Sequence, residues 1–161
     1  MNDDPVRVLV TLESRQDGGK SERREYAGTL YRKPNAVYVR YEDRSEAEAH
    51  IGTTVRWDGR ELRIVRRGAV DGEQSFAAGR VTAGRYRSRA ADLELETKTT
   101  VVKADPGDWA NGPFPLRLRW VYKLKVNGQP AGRFEINQSL REEISEREAK
   151  GKEMCCSNIT R

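Results

Sequence analysis

Leu62-Arg63-Ile64-Val65-Arg66-Arg67-Gly68-Ala69-Val70, read with Gln74-Ser75-Phe76, Gly79, Tyr86 and Leu93-x-Leu95-x-Thr97-x-Thr99, decides the fold of this chain. Leu62, Ile64 and Arg66 share one parity, and Arg63 and Arg67 take the other. Leu93, Leu95, Thr97 and Thr99 repeat the pattern against Glu94, Glu96 and Lys98. Alternation at period two is the mark of a strand with one buried face. The first strand also sets an arginine, Arg66, on its apolar side.

The same period extends in both directions. Val6, Val8, Val10 and Leu12 fall on one face, and Asp17-Gly18-Gly19 turns the chain into a strand over Glu22–Arg32. Lys33-Pro34-Asn35 turns it again into Ala36–Arg44. Ser45–His50 is polar and rich in Ala and Glu, which predicts a loop or one helical turn. Thr53–Trp57 and Arg60–Arg67 flank Asp58-Gly59, a two-residue hairpin signal because type I′ turns need positive φ. Gln74–Ala78, Thr82–Ser88 and Asp92–Lys103 continue the meander. An irregular stretch with Trp109 and Phe114 follows from Asp105. Leu116, Leu118, Trp120, Tyr122, Leu124 and Val126 then alternate with basic residues. Asn127-Gly128 is a second I′ signal, and Pro130–Leu140 is the closing strand.

Hairpin-linked strands without helical crossovers leave a sandwich or an up-and-down barrel. Sequential hairpins favour the barrel, whose closure removes exposed edges. The 161 residues suffice for one domain. The boundaries are a barrel over residues 1–142 and a charged tail over 143–161. Glu143–Arg147 and Glu146–Lys150 are spaced for a helix, but it lacks an apolar face and is either solvated or disordered.

The net charge is +5. It is concentrated between Arg56 and Arg89, where nine arginines face four acids. Such a field attracts anions, although a solvated arginine-rich surface is the plainer reading. The start Met1-Asn2-Asp3-Asp4-Pro5 does not resemble a signal peptide. No apolar run reaches membrane-spanning length, so no membrane partner is expected. Adjacent Cys155 and Cys156 read as reduced thiols, which with the start predicts a cytoplasmic protein.

Residues 5–142 resemble the YwiB-like family of uncharacterised bacterial proteins. The resemblance rests on Ile64-Val65-Arg66-Arg67-Gly68-Ala69-Val70, Gln74-x-Phe76, Gly79, Tyr86 and Leu93-x-Leu95-x-Thr97-x-Thr99. It implies an all-β, calycin-like (lipocalin- or streptavidin-like), mostly antiparallel β-barrel of about 8–10 strands. One departure stands out. The family often turns on Gly or Pro between Tyr86 and Leu93, whereas Ser88-Arg89-Ala90-Ala91 has neither. The resemblance assigns no biochemical activity.

Catalytic chemistry finds little support. His50 lies in a polar segment without a cysteine beside it. Cys/His metal spacing, a Walker loop and G-x-G-x-x-G are all missing, so neither metal nor cofactor is expected. Glu94 and Glu96 point outward. A single-strand binder would show aromatics among basic residues on its solvent face. Trp120 and Tyr122 instead share the parity of the leucines. Tyr31, Tyr38 and Arg40 form one small outer patch, better read as hairpin packing.

The barrel lumen remains. Arg66 points inward, and no convincing inward carboxylate answers it on the other strands. Tyr86, Thr97, Thr99, Trp120, Tyr122 and Gln138 share the inward parity. An arginine among hydroxyls in an apolar cup suits a carboxylate or phosphate with an apolar body. The alternative is that Arg66 snorkels to the rim and stabilises the mouth. The loop holding Trp109 and Phe114 is either a lid or, preferably, a plug.

The sequence therefore predicts a non-enzymatic barrel that binds a small anionic, amphipathic ligand through Arg66, Tyr86, Thr97, Thr99, Trp120 and Tyr122. The competing reading is a protein- or RNA-interaction module using the outer arginine face, with nucleic acid the weaker partner. An enzyme ranks third, and the oligomeric state stays open.

Overall fold

The computed structural model describes residues 4–46 and 49–143. Ten strands follow in order: β1 (Val6–Gln16), β2 (Ser21–Arg32), β3 (Val37–Glu46), β4 (Ala49–Trp57), β5 (Glu61–Gly68), β6 (Asp71–Ala77), β7 (Val81–Arg87), β8 (Asp92–Asp105), β9 (Leu116–Val126) and β10 (Gln129–Glu142). Each strand pairs antiparallel with its chain neighbour, and β1 pairs with β10 to close the barrel. The sandwich alternative is thereby excluded. β10 ends at Glu142, and the Glu143 amide donates to the Arg7 carbonyl. Of the tail expected over residues 143–161, positions 144–161, with both cysteines, lie outside the described residues.

Topology fixes the two ends. The β1–β2, β3–β4, β5–β6, β7–β8 and β9–β10 hairpins ring one end, which we term the mouth. The remaining connections and both chain ends of the barrel lie at the other. Asn127 and Gly128 take φ of 49° and 81°, as a I′ turn needs. Asp58-Gly59 behaves differently. Only Gly59 has positive φ there. The Asp58 carboxylate instead accepts the Arg60 and Glu61 N–H groups at 2.8 and 2.7 Å, so the side chain builds the turn. The expected loop at Ser45–His50 is also corrected. Ser45 and Glu46 end β3, Ala49 and His50 begin β4, and Glu46 pairs with Ala49.

Two sequence peculiarities now have a local cause. Gly68 has φ of 122°, and a Cβ there would run into the His50 carbonyl oxygen. Only glycine lets β5 finish so close to β4, where the Ala69 amide then donates to that carbonyl at 3.0 Å. At the turn lacking Gly and Pro, the Ser88 hydroxyl accepts the Ala90 and Ala91 N–H groups, both at 3.2 Å. A serine side chain thus does the turning.

The closed end is solid. Val8, Val10, Leu30, Val37, Val39, Val55, Trp57, Leu62, Leu116, Leu118 and Leu140 fill it. Each such aliphatic burial is worth about 1.5–3 kcal/mol. The loop after β8 caps this end as a plug, not as a lid over the mouth. Trp109 is 2% exposed and its indole donates to the Arg117 carbonyl at 3.2 Å. Arg32 lies over the Phe114 ring at 5.1 Å and donates to the Gly112 carbonyl at 3.1 Å.

Candidate functional site

The mouth end is not solid. A cavity of about 140 Å³ opens there, within the barrel, lined by Leu12, Ser14, Glu22, Arg24, Tyr41, Ile64, Arg66, Gln74, Phe76, Trp120, Tyr122, Ile136 and Gln138. The strand phases explain this wall. Arg66 follows Leu62 and Ile64 inward and sits two residues before Gly68. Its cross-strand neighbours are Thr53 and Gly72. Gly72 presents no side chain, and the Tyr86 ring packs over it. On the far side β9 supplies Trp120 and Tyr122. Phe76 joins them with ring centroids 6.0 and 4.8 Å away, giving an aromatic wall.

Arg66 is half-buried. Among the described residues its guanidinium makes no ion pair and no hydrogen bond to a protein side chain. The phenols around it are neutral at ordinary pH. Burial pushes Tyr41 and Tyr122 up to about 12, and the Arg66 charge pulls the other way in both.

Of the residues predicted from sequence, the cavity unites Arg66, Trp120 and Tyr122. Tyr86, Thr97 and Thr99 face inward but are not on its wall. Tyr86 packs against Gly72. Thr97 receives a hydrogen bond from Gln74, a wall residue, at 3.5 Å. Thr99 is 1% exposed and its hydroxyl has no protein partner. Just beyond it a bulge between Thr99 and Val101 breaks the β8–β9 ladder, and the Thr100 hydroxyl donates to the Val121 carbonyl there.

Sequence reasoning missed three charged residues at the mouth. Glu22 and Arg24 line the cavity. Asp43 accepts from the Tyr26 hydroxyl at 3.5 Å and lies 4.0 Å from Arg24. The expectation of no inward carboxylate is therefore corrected. The available signal was parity: Tyr26 and Leu30 carry the inward phase of β2 back to Arg24 and Glu22, and Tyr41 carries that of β3 to Asp43. Arg24 has Asp43 beside it, whereas Arg66, on the same cavity wall, forms no ion pair among the described residues.

Four of the outer arginines between Arg56 and Arg89 are ion-paired. Arg63 pairs with Glu73, Arg56 with Asp58, and Arg85 and Arg87 with Asp92. Tyr31 and Tyr38 pair across β2 and β3, and the Tyr38 hydroxyl accepts from Arg56 at 3.3 Å. Exposed His50 lies 3.1 Å from Glu42. Among the described residues no three His, Cys, Asp or Glu side chains gather as metal ligands. No described helix is long and apolar enough to cross a membrane.

The comparisons agree with this architecture. Over 92 residues the chain is 32% identical to the uncharacterized beta-barrel protein YwiB of Bacillus subtilis (strain 168). That alignment covers 56% of this chain and 64% of the relative, slightly under two thirds of its length. The crystal structure of the ywiB protein from Bacillus subtilis matches with a TM-score of 0.70, over 87% of this chain and 92% of that one. At 23% identity that likeness shows the shared fold. The resemblance read from the Leu62–Thr99 stretch is thus borne out. Residues 8–137 match the family described as "Domain of unknown function (DUF1934)", and the chain belongs to that family.

Proposed function

We propose that the barrel binds a small anionic, amphipathic molecule in its mouth without transforming it. The observation that carries this reading is Arg66: a guanidinium lining the mouth cavity that forms no ion pair with any carboxylate among the described residues, Glu22 on the same wall included. A half-buried charge needs a counter-charge or hydrogen-bond acceptors. A carboxylate or phosphate supplies both in one bidentate contact. The neutral Tyr41 and Tyr122 phenols add donors, while Leu12, Ile64, Phe76, Trp120 and Ile136 take the apolar body. Among the described residues no paired acid and base converge on the cup, which favours binding over catalysis. The ion pairs of Arg56, Arg63, Arg85 and Arg87 make those four residues weaker candidates for the anion site.

Native mass spectrometry of freshly purified protein, together with a benzoate titration, tests the reading. Wild type is expected to carry or take up a small acid, and Arg66→Gln to bind it at least about tenfold more weakly. Equal retention by both proteins, or no uptake by wild type, would overturn it.

A further inference from the structure

Gln138 is 1% exposed, yet neither its amide oxygen nor its amide nitrogen has a hydrogen-bond partner in the protein. It stands on β10 between Leu12 of β1 and Leu118 of β9. Gln138 is one of the residues that line the same cavity as Arg66. Buried amides are nearly always paired, because an unpaired one forfeits its hydration without return. A leucine would fill the position without that penalty. The amide therefore calls for something in the cavity that donates to its oxygen and accepts from its nitrogen.

Size and shape narrow the occupant. A cavity near 140 Å³ matches the roughly 150 Å³ apolar cavity that holds one benzene ring. Phe76, Trp120 and Tyr122 present flat apolar faces suited to a ring. Arg66 lies toward the mouth, two residues from the end of β5. Gln138 lies deeper, four residues along β10 from Phe134, which pairs with Gln16 at the rim.

We propose that Gln138 reads the buried end of the ligand, and that the ligand is a single-ring carboxylate bearing a hydroxyl or amide away from its carboxylate. A hydroxyl or amide donates and accepts at once, as Gln138 demands. The assignment rests on Arg66 as the charge anchor, and adds the group that sets specificity.

Two probes differ at one group: 4-hydroxybenzoate, and 4-methylbenzoate with a methyl in place of the hydroxyl. Calorimetric titration of wild type is expected to favour the hydroxy acid by at least about tenfold. Gln138→Leu should abolish or invert that preference, and Gln138→Met, nearly isosteric, should do the same if the leucine variant folds poorly. Arg66→Gln should weaken both acids alike. Equal binding of the two acids by wild type, still dependent on Arg66, would refute the role of Gln138 and leave the anchor standing. Binding of neither acid overturns both assignments and leaves a cup that holds water alone.

Discussion

Arg66 and Tyr122 share the wall of the mouth cavity, and the arginine's charge partly offsets the burial that drives the Tyr122 phenol up to about 12. Tyr41 stands in the same relation to Arg66. Both phenols are thus protonated under ordinary conditions and neutralise nothing. They present hydroxyl groups to the neighbourhood of a cation, which is how a site favours an anion it does not itself contain.

The raised phenols make the fold sensitive to alkali. Each tyrosine ionises near 10 when unfolded and near 12 when folded. Stability is therefore full below pH 10 and falls as pH rises toward 12, because the unfolded chain releases the proton first. The loss is about 2–3 kcal/mol per tyrosine across that window. Urea unfolding at stepped pH checks this, with Tyr122→Phe and Tyr41→Phe each expected to flatten the slope. An unchanged slope in both variants would contradict the burial argument.

Gly68→Ala tests why the Arg66-Arg67-Gly68 run ends as it does. The added Cβ meets the His50 carbonyl at a φ of 122° that alanine resists. We expect a loss of at least about 2 kcal/mol from strain and a displaced β4–β5 hairpin. Gly59→Ala is the control: its φ of 96° is also positive, but no atom lies near the would-be Cβ. A smaller loss there separates collision from dihedral strain, and equal losses would show that the His50 contact does not matter.

The fold was legible wherever one face of a strand is apolar. β9 announced itself through Leu116 to Val126: Leu116, Leu118, Trp120 and Tyr122 join the core and Leu124 packs against it, while Val121 on the opposite phase is also buried. Legibility failed at the mouth for a physical reason. There both faces of β2 are polar over Ser21–Glu25, so hydrophobic alternation stops marking the inside, and Glu22 and Arg24 went unseen. The position of the cavity was also hidden. It depends on which row of inward side chains runs short. Gln138 was readable as inward from parity, but its lack of a partner is a property of thirteen residues drawn from seven strands. At Thr99-Thr100-Val101-Val102 either phase fits a strand, so the bulge left no trace in the sequence.

Ser88→Ala probes the turn that replaces Gly or Pro. Removing the hydroxyl leaves the Ala90 and Ala91 N–H groups without their acceptor. The turn is exposed, so water takes over and the cost is about 1 kcal/mol. Hydrogen exchange localises the effect: those two amides should exchange faster while the β9 amides do not change. Ser88→Asp, which keeps an acceptor oxygen, should restore protection.

Trp109 separates the plug from the cup. The indole is 2% exposed, packs into the core beneath the barrel, and donates to the Arg117 carbonyl. Trp109→Ala removes a large buried ring and leaves that carbonyl unpaired, at a cost of about 3–5 kcal/mol. The closed end lies opposite the mouth, with Leu118 and Leu140 between. The variant should therefore lower the urea midpoint sharply and, while still folded, bind benzoate as wild type does. Phe114→Leu, which keeps bulk under Arg32, should change either measurement little. If Trp109→Ala abolished benzoate uptake in folded protein, the plug would be coupled to the mouth, and the solid layer described between them would have to yield.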